Sequence, residues 1–230
     1  MKSIKIKQDG KTTTKKIQYN KKGLITKITD PRISETQTFT YDKKGQLKKW
    51  KETYKGAKGS GTQTRTYTWK KGKLVKTNWI EKGKVTDVTT YKHNKKGQII
   101  NAVTKWSDPS GIDGTTITMY KYKKGHIVQT KINNEVVLNF TLDKKGNVKK
   151  HTMTMNGKLI KDGYSKASHK YKKGRLVKMH YEGKNPMMPA PEKSASTFKY
   201  KKVKTSKKYL KTIKEQQWHL INISGESFAW

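Results

Sequence analysis

The sequence predicts an all-β, antiparallel β-hairpin repeat forming an open or spiralling sheet, with a closed barrel or propeller as the alternative. Three observations carry the prediction: a recurring turn tripeptide, an aliphatic residue at fixed spacing from it, and alternating segments rich in Thr, Tyr, Val and Ile. Lys-Lys-Gly ends at Gly23, Gly45, Gly72, Gly97, Gly125, Gly146 and Gly174. A degenerate eighth copy reads Tyr200-Lys201-Lys202-Val203, and the period averages about 26 residues. Two residues after each Gly stands Ile25, Leu47, Leu74, Ile99, Ile127, Val148 or Leu176. A side chain in constant register with a turn lies on one face of a strand, so these seven are expected to share a buried face.

In Asn20-Lys21-Lys22-Gly23, Asp42-Lys43-Lys44-Gly45, Asn94-Lys95-Lys96-Gly97 and Asp143-Lys144-Lys145-Gly146, Asp or Asn opens a type I turn and Gly takes the left-handed position that follows. In Trp69-Lys70-Lys71-Gly72, Tyr122-Lys123-Lys124-Gly125 and Tyr171-Lys172-Lys173-Gly174 an aromatic stands one residue nearer the Gly, which predicts a tighter hairpin. One unit then holds this turn, two strands of ~8–10 residues and a second connection, giving ~15–18 strands in all. The second connections vary. Asn133-Asn134-Glu135 and Asn156-Gly157 are tight; those around Asp30-Pro31, from Lys55 to Gly61, from Asp108 to Gly111 and from Glu182 to Ser196 are longer. One sheet edge is therefore uniform and cationic and the other variable, with the Pro-rich stretch from Asn185 to Pro191 expected to be a mobile loop. Residues 1–205 read as about eight units. Residues 206–230, which include the β-prone run Trp218-His219-Leu220-Ile221-Asn222-Ile223, read as a closing strand or hairpin of the same domain.

Composition sets the limits. The chain has 230 residues, with 54 Lys+Arg against 16 Asp+Glu, a formal charge of +38. Apolar residues make up 31%, which predicts a thin core, while 12 Tyr, 6 Trp and 4 Phe in alternation with polar residues argue against disorder. Zero cysteines exclude disulfides and thiolate metal sites. No apolar run approaches the ~18 residues of a helical membrane span, and Met1-Lys2-Ser3-Ile4-Lys5-Ile6 lacks the apolar stretch of a secretory leader. The expectation is a trimmed, extracellular or cell-surface chain, or a cytoplasmic one if Met1 is native. Lys is expected on both phases of the alternation, which leaves no lipid-facing apolar band and argues against a membrane barrel.

Tyr41-Asp42-Lys43-Lys44-Gly45-Gln46-Leu47 resembles the YD repeat of bacterial RHS-type proteins, Tyr-Asp-x-x-Gly-x-Leu. Near matches are Tyr19-Asn20-Lys21-Lys22-Gly23-Leu24-Ile25 and Leu142-Asp143-Lys144-Lys145-Gly146-Asn147-Val148, and the similarity covers most of residues 15–205. The resemblance implies a secreted or surface-located bacterial protein of β-hairpins in a spiralling sheet. The many tens of units of RHS shells and their core-closing motif are missing, so the resemblance does not imply encapsulation.

Catalytic chemistry is hard to place. His93, His126, His151, His169, His180 and His219 lack zinc-motif spacings, although His151, His169 and His180 are candidates to meet across neighbouring strands. Asp42 and Asp143 are accounted for by turns, and Asp9, Asp30, Asp108 and Asp113 stand beside Gly or Pro in expected turns. No carboxylate pair, phosphate loop or Gly-x-Ser-x-Gly elbow is recognisable. No catalytic residue, metal ligand or cofactor is expected, and an enzyme with a loop-built site ranks third among the readings.

Charge is the strongest signal. Only Arg32, Arg65 and Arg175 are arginines, so 51 of the 54 basic residues are lysines. The candidate polyanion-binding residues are Lys21, Lys22, Lys43, Lys44, Lys70, Lys71, Lys95, Lys96, Lys123, Lys124, Lys144, Lys145, Lys172 and Lys173. Sequence-specific nucleic-acid readout favours the guanidinium fork, so nearly pure Lys points to diffuse attraction; edge Lys also blocks edge-to-edge aggregation. Trp50, Trp79 and Trp106 fit cross-strand packing, or a ladder for sugars or bases. The leading expectation is a non-enzymatic surface or secreted binding or structural module drawn to an anionic polymer, a wall polymer or acidic glycan; the alternative is a nonspecific nucleic-acid binder.

Overall fold

The computed structural model describes residues 3–31, 34–56, 59–108, 110–184 and 190–200. The degenerate eighth turn beyond Tyr200, the expected closing segment 206–230 and most of the Pro-rich stretch lie outside the described residues. Sixteen strands follow in chain order: β1 (Ser3–Gln8), β2 (Lys11–Tyr19), β3 (Ile25–Asp30), β4 (Glu35–Tyr41), β5 (Leu47–Gly56), β6 (Gly59–Lys70), β7 (Lys73–Glu81), β8 (Lys84–His93), β9 (Ile99–Ser107), β10 (Asp113–Lys123), β11 (His126–Ile132), β12 (Val136–Leu142), β13 (Val148–Met155), β14 (Lys158–Lys172), β15 (Arg175–Lys184) and β16 (Glu192–Lys199). Each pairs antiparallel with its chain neighbours, and β1 pairs with β16, Ile4 opposite Phe198 and Ile6 opposite Ser196. The antiparallel hairpin repeat is the expected one, and the sheet takes its closed alternative: an up-and-down barrel.

The turns follow their chemistry. Gly23 N–H donates to the Asn20 carbonyl at 3.0 Å and Gly146 N–H to the Asp143 carbonyl at 3.0 Å, with the glycines at φ 80° and 83°. Asn20 Oδ1 accepts from the Lys22 and Leu24 amides, both at 3.0 Å, and Asp143 Oδ1 from the Lys145 and Asn147 amides at 2.8 and 3.0 Å. The three units with the nearer aromatic turn more tightly: Lys71-Gly72, Lys124-Gly125 and Lys173-Gly174 hold φ of 48°/76°, 50°/83° and 49°/74°, the signature of two-residue type I′ turns. A Cβ on Gly146 would also fall on the His126 ring. Gly146→Ala is therefore expected to cost about 1–2 kcal/mol, and Gly45→Ala, at φ 82°, about 1 kcal/mol. Chemical-denaturation midpoints check both; two unchanged midpoints would refute the strain at these turns.

One device recurs that simple alternation does not anticipate. The register slips beside the last residue before each turn, between Gln18/Tyr19, Thr40/Tyr41, Thr68/Trp69, Lys92/His93, Lys121/Tyr122, Thr141/Leu142 and Lys170/Tyr171. Each slip is a β-bulge. It lets the aliphatic residue and the residue three positions later face the same way: Ile25 and Ile28, Leu74 and Thr77, Ile99 and Ala102, Leu176 and Met179. Bulges add right-handed twist and bend the strand that carries them. Seven of them in equivalent places curl the sheet continuously, which brings β1 and β16 together.

Burial identifies the inner face. On β10 exposed and shielded residues alternate without interruption, Tyr120 and Tyr122 shielded, Met119 and Lys121 exposed. The seven register-fixed aliphatics all lie on the shielded face; Ile25 and Leu176 are buried, the other five half-buried. The tightest packing is at the closure, where Ile4, Ile6, Ile17, Ile25, Ile28, Leu176, Met179 and Phe198 form one buried cluster. Strands run further than expected. Most of the connection placed from Lys55 to Gly61 is strand, and the one placed from Glu182 to Ser196 is shortened because β15 reaches Lys184 and β16 begins at Glu192. Asp30 is no turn residue: it ends β3, 1% exposed.

Candidate functional site

In an up-and-down barrel alternate connections share a rim, so β2–β3, β4–β5, β6–β7, β8–β9, β10–β11, β12–β13 and β14–β15, every Lys-Lys-Gly turn, emerge at one end. All fourteen candidate lysines, from Lys21 and Lys22 to Lys172 and Lys173, are exposed there. Only Asp42 and Asp143 among the acids share these turns, and both spend carboxylate oxygens on turn amides. The remaining connections, including Asp9-Gly10, Lys82-Gly83 and Asn156-Gly157, form the other, variable rim.

The turn aromatics brace the lysine rim. Tyr41 OH donates to the Ile25 carbonyl at 2.6 Å, Trp69 Nε1 to Leu47 at 2.8 Å, Tyr122 OH to Ile99 at 2.8 Å and Tyr200 OH to Leu176 at 2.7 Å. Each bond joins one unit to the carbonyl of the aliphatic residue in the unit before, so consecutive turns are held at set spacing by a repeated side chain. Tyr171 departs from this rule. It donates to Asp143 Oδ2 and accepts from Asn147 Nδ2 at 2.6 Å, while His169 Nδ1 stands 2.9 Å from the same carboxylate oxygen. Burial opposes ionisation of Asp143, but hydrogen bonds from Tyr171 and the turn amides hold its carboxyl below the ordinary range. Burial lowers the His169 pKa against the opposing pull of Asp143.

The three histidines that were candidates to meet do not. His151 Nδ1 bonds Ser165 Oγ at 2.5 Å, His169 bonds Asp143, and His180 pairs with Ser168 on the outer face. Among the described residues no three His, Asp or Glu side chains gather in metal-holding geometry.

The two faces differ in chemistry. The outer wall carries exposed Lys5, Lys7, Lys49, Lys51, Lys105 and Lys121 with threonines such as Thr38, Thr62 and Thr68. Exposed Ile117 and Met119 stand on the same wall as exposed Lys105 and Lys121, so the apolar surface of β9 and β10 is interrupted by charge. Lys occurs on both phases, as expected, but unevenly: the bulges turn most strand lysines outward and the aromatics inward, while on the inner face Lys15 lies opposite Ile4 and is held by Asp30 at 2.9 Å.

The inner face gathers acids that no sequence spacing announces. Glu35, Gln37, Glu52, Gln63 and Glu81 adjoin across β4–β7. Gln37 Nε2 donates to Glu35 and, at 3.3 Å, to Glu52, while Trp50 Nε1 donates to Gln37 Oε1 at 3.2 Å. Burial first, and the Glu35 charge second, push the Glu52 carboxyl from its ordinary 4.5 up to about 7. Between those values the folded chain holds a proton that the unfolded chain has released, so this group's contribution to stability falls as pH rises from 4.5 to about 7 and is flat above. Glu52→Gln should remove that slope and exceed the parent by about 1–2 kcal/mol at pH ~8, the half-exposed position reducing the full linkage. Urea unfolding at pH ~5 and ~8 tests this, and a parent–variant difference that does not change with pH refutes it.

At the variable rim, Lys7, Lys166, Lys193, His180, Ser168 and Glu182 help line a 530 Å³ groove. Lys166 and Lys193 each stand 3.8 Å from Glu182.

Among the described residues, fold and rim together define a sixteen-stranded up-and-down barrel with a lysine-crowned mouth. A porin-like protein from Bacteroides uniformis is similar over 86% of this chain and 96% of its own, at 13% identity and a TM-score of 0.53. A porin-like protein from Bacteroides vulgatus aligns over 86% and 97% at 11% identity and a TM-score of 0.45. A Photorhabdus luminescens Tc holotoxin pore aligns over 74% of this chain and 9% of its own, at 17% identity and a TM-score of 0.35. The first of these likenesses is one of fold. No protein-family model and no curated protein matches the sequence.

Proposed function

We propose that the chain is a non-enzymatic barrel of the bacterial cell surface or exterior, working in water, whose lysine rim engages anionic polymers such as wall polymers or acidic glycans. One observation carries the reading: all seven Lys-Lys-Gly turns project from the same rim with their fourteen lysines exposed. A ring of like charges raises the local concentration of polyanions by several kT of potential. Three of these lysines hold left-handed backbone at Lys71, Lys124 and Lys173, where Asn would be less strained, so charge is kept on the rim at a conformational cost. The Lys and Thr of the outer wall support a water-facing barrel rather than a lipid-embedded one, despite the porin-like fold. The YD-like turns are read as a short hairpin array that closes on itself instead of spiralling. Titration of a wall polymer, heparin and duplex DNA over a salt series tests the proposal. Comparable, salt-sensitive binding of all three is expected; salt-insensitive binding of one would replace the rim with a specific pocket, for which the 530 Å³ groove is the first place to look, and no binding near physiological salt would leave the lysines as anti-aggregation devices.

A further inference from the structure

The inner face is divided. Around the closure it is filled by buried aliphatic side chains. From β4 to β9 it carries indoles, carboxyls and a guanidinium, all half-buried: Trp50, Glu52, Arg65, Trp79, Asp87 and Trp106. Barrels of about sixteen strands are wide enough to leave a water-filled interior, and partial exposure of these large side chains fits such a space.

Pairing lays them out in rows. Trp50 lies opposite Arg65, Arg65 opposite Trp79, Trp79 opposite Asp87 and Asp87 opposite Trp106. The next row, towards the variable rim, runs Gln37, Glu52, Gln63, Glu81. Trp50 and Trp79 lean together over the strand between them, ring centroids 5.4 Å apart and tilted by 34°, and the Arg65 guanidinium sits 4.5 Å from the Trp79 ring centre. Glu81 accepts from Trp79 Nε1 at 2.8 Å and from Gln63 Nε2 at 3.3 Å, which fixes the indole and its neighbouring acceptor relative to each other.

We propose that this surface binds an uncharged saccharide, with sugar rings stacked on the Trp50–Trp79 pair and Trp106, and their hydroxyls bonded to the carboxyl and amide row. A pyranose presents an apolar C–H face and an equatorial rim of hydroxyls that both donate and accept. The indoles match the face, the carboxyl oxygens of Glu52 and Glu81 accept, Arg65 donates, and the Gln37 and Gln63 amides do both. A nucleobase also stacks on indole, but a nucleotide would bring its phosphate against the carboxyl groups of Glu35, Glu81 and Asp87, a repulsion that Arg65 and Lys15, whose charge reaches Glu52, offset only in part. Burial raises the Glu52 carboxyl to about 7, so near neutral pH part of the population is protonated there and the row gains a carboxyl donor beside its acceptors. The site lies inside the wall, whereas the lysine rim stands at its end, so the two are separable by experiment.

The test titrates the full chain with maltotriose and with tri-N-acetylchitotriose, followed by calorimetry and tryptophan fluorescence, with AMP as a comparison ligand. At least one trisaccharide should bind saturably, with a blue-shifted emission and an affinity that does not change with salt. Trp79→Leu should weaken it by about tenfold or more, equivalent to about 1.4 kcal/mol. Glu81→Gln serves as a second variant should Trp79→Leu unfold, as judged by circular dichroism, and should weaken binding several-fold. Replacing the rim lysines should leave it unchanged. No saturable binding of either sugar at concentrations up to tens of millimolar, binding unchanged in both variants, or AMP binding more tightly than both sugars would overturn the proposal.

Discussion

A variant with the fourteen rim lysines changed to Gln is expected to lose polyanion binding at physiological salt while keeping its fold. Neutralising Z phosphates releases condensed counterions, so the parent's affinity for duplex DNA should fall with salt at a log–log slope of roughly −0.9Z, or about 10³–10⁵-fold between about 50 and 200 mM if Z is ~6–10. The variant should retain a shallow slope from the outer-wall lysines. A control with an equal number of outer-wall lysines changed, among them Lys5, Lys7, Lys49, Lys51, Lys105 and Lys121, removes the same charge without touching the rim. If the parent's affinity depends only on net charge, the two variants will bind alike and the rim has no special role. If the rim matters, its variant will bind far more weakly. Stability should change little, because the rim lysines are exposed and charges beyond the ~8 Å Debye length are mutually screened.

Phe198→Ala is expected to cost about 3–5 kcal/mol, the range for emptying a buried aromatic site. Phe198 is 3% exposed and lies opposite Ile4, 1% exposed, across the pair of strands that closes the barrel. The buried apolar cluster is concentrated at this closure, so the variant loses both packing and the contact that joins the first strand to the last. Against a typical total of about 5–15 kcal/mol this is a large fraction, and a melting temperature lower by about 6–20 °C should accompany it. Thr197→Ala, one residue away but exposed on the outer wall, should stay within about 0.5 kcal/mol of the parent. Equal, small effects of both substitutions would mean that the closed seam contributes little to stability.

The turns and the rim were legible from residues alone because their causes are local. Asp or Asn before two lysines and a Gly leaves few backbone choices, and the aromatic one residue nearer the Gly marks the tighter turn, as Lys71-Gly72 and its two counterparts hold. Given regular antiparallel hairpins, the same spacing places every Lys-Lys-Gly at one end. The faces were less legible. Alternation continued from Ile25 would turn Lys27 inward, but the bulge inserts Thr26 and turns Ile28 inward instead. Closure had no local signal, since it depends on curvature accumulated over seven bulges and on which strands are left at the two edges. The side-chain contacts inside the barrel show the same limit. Gln37 and Glu52 are 15 residues apart and Tyr171 and Asp143 are 28 apart, separations without any motif, and each pair meets only when strand register places it together. Local backbone preference therefore set the hairpins and their charged ends, while bulge-driven curvature and cross-strand register, which sum over the whole chain, set the inside of the barrel and what lines it.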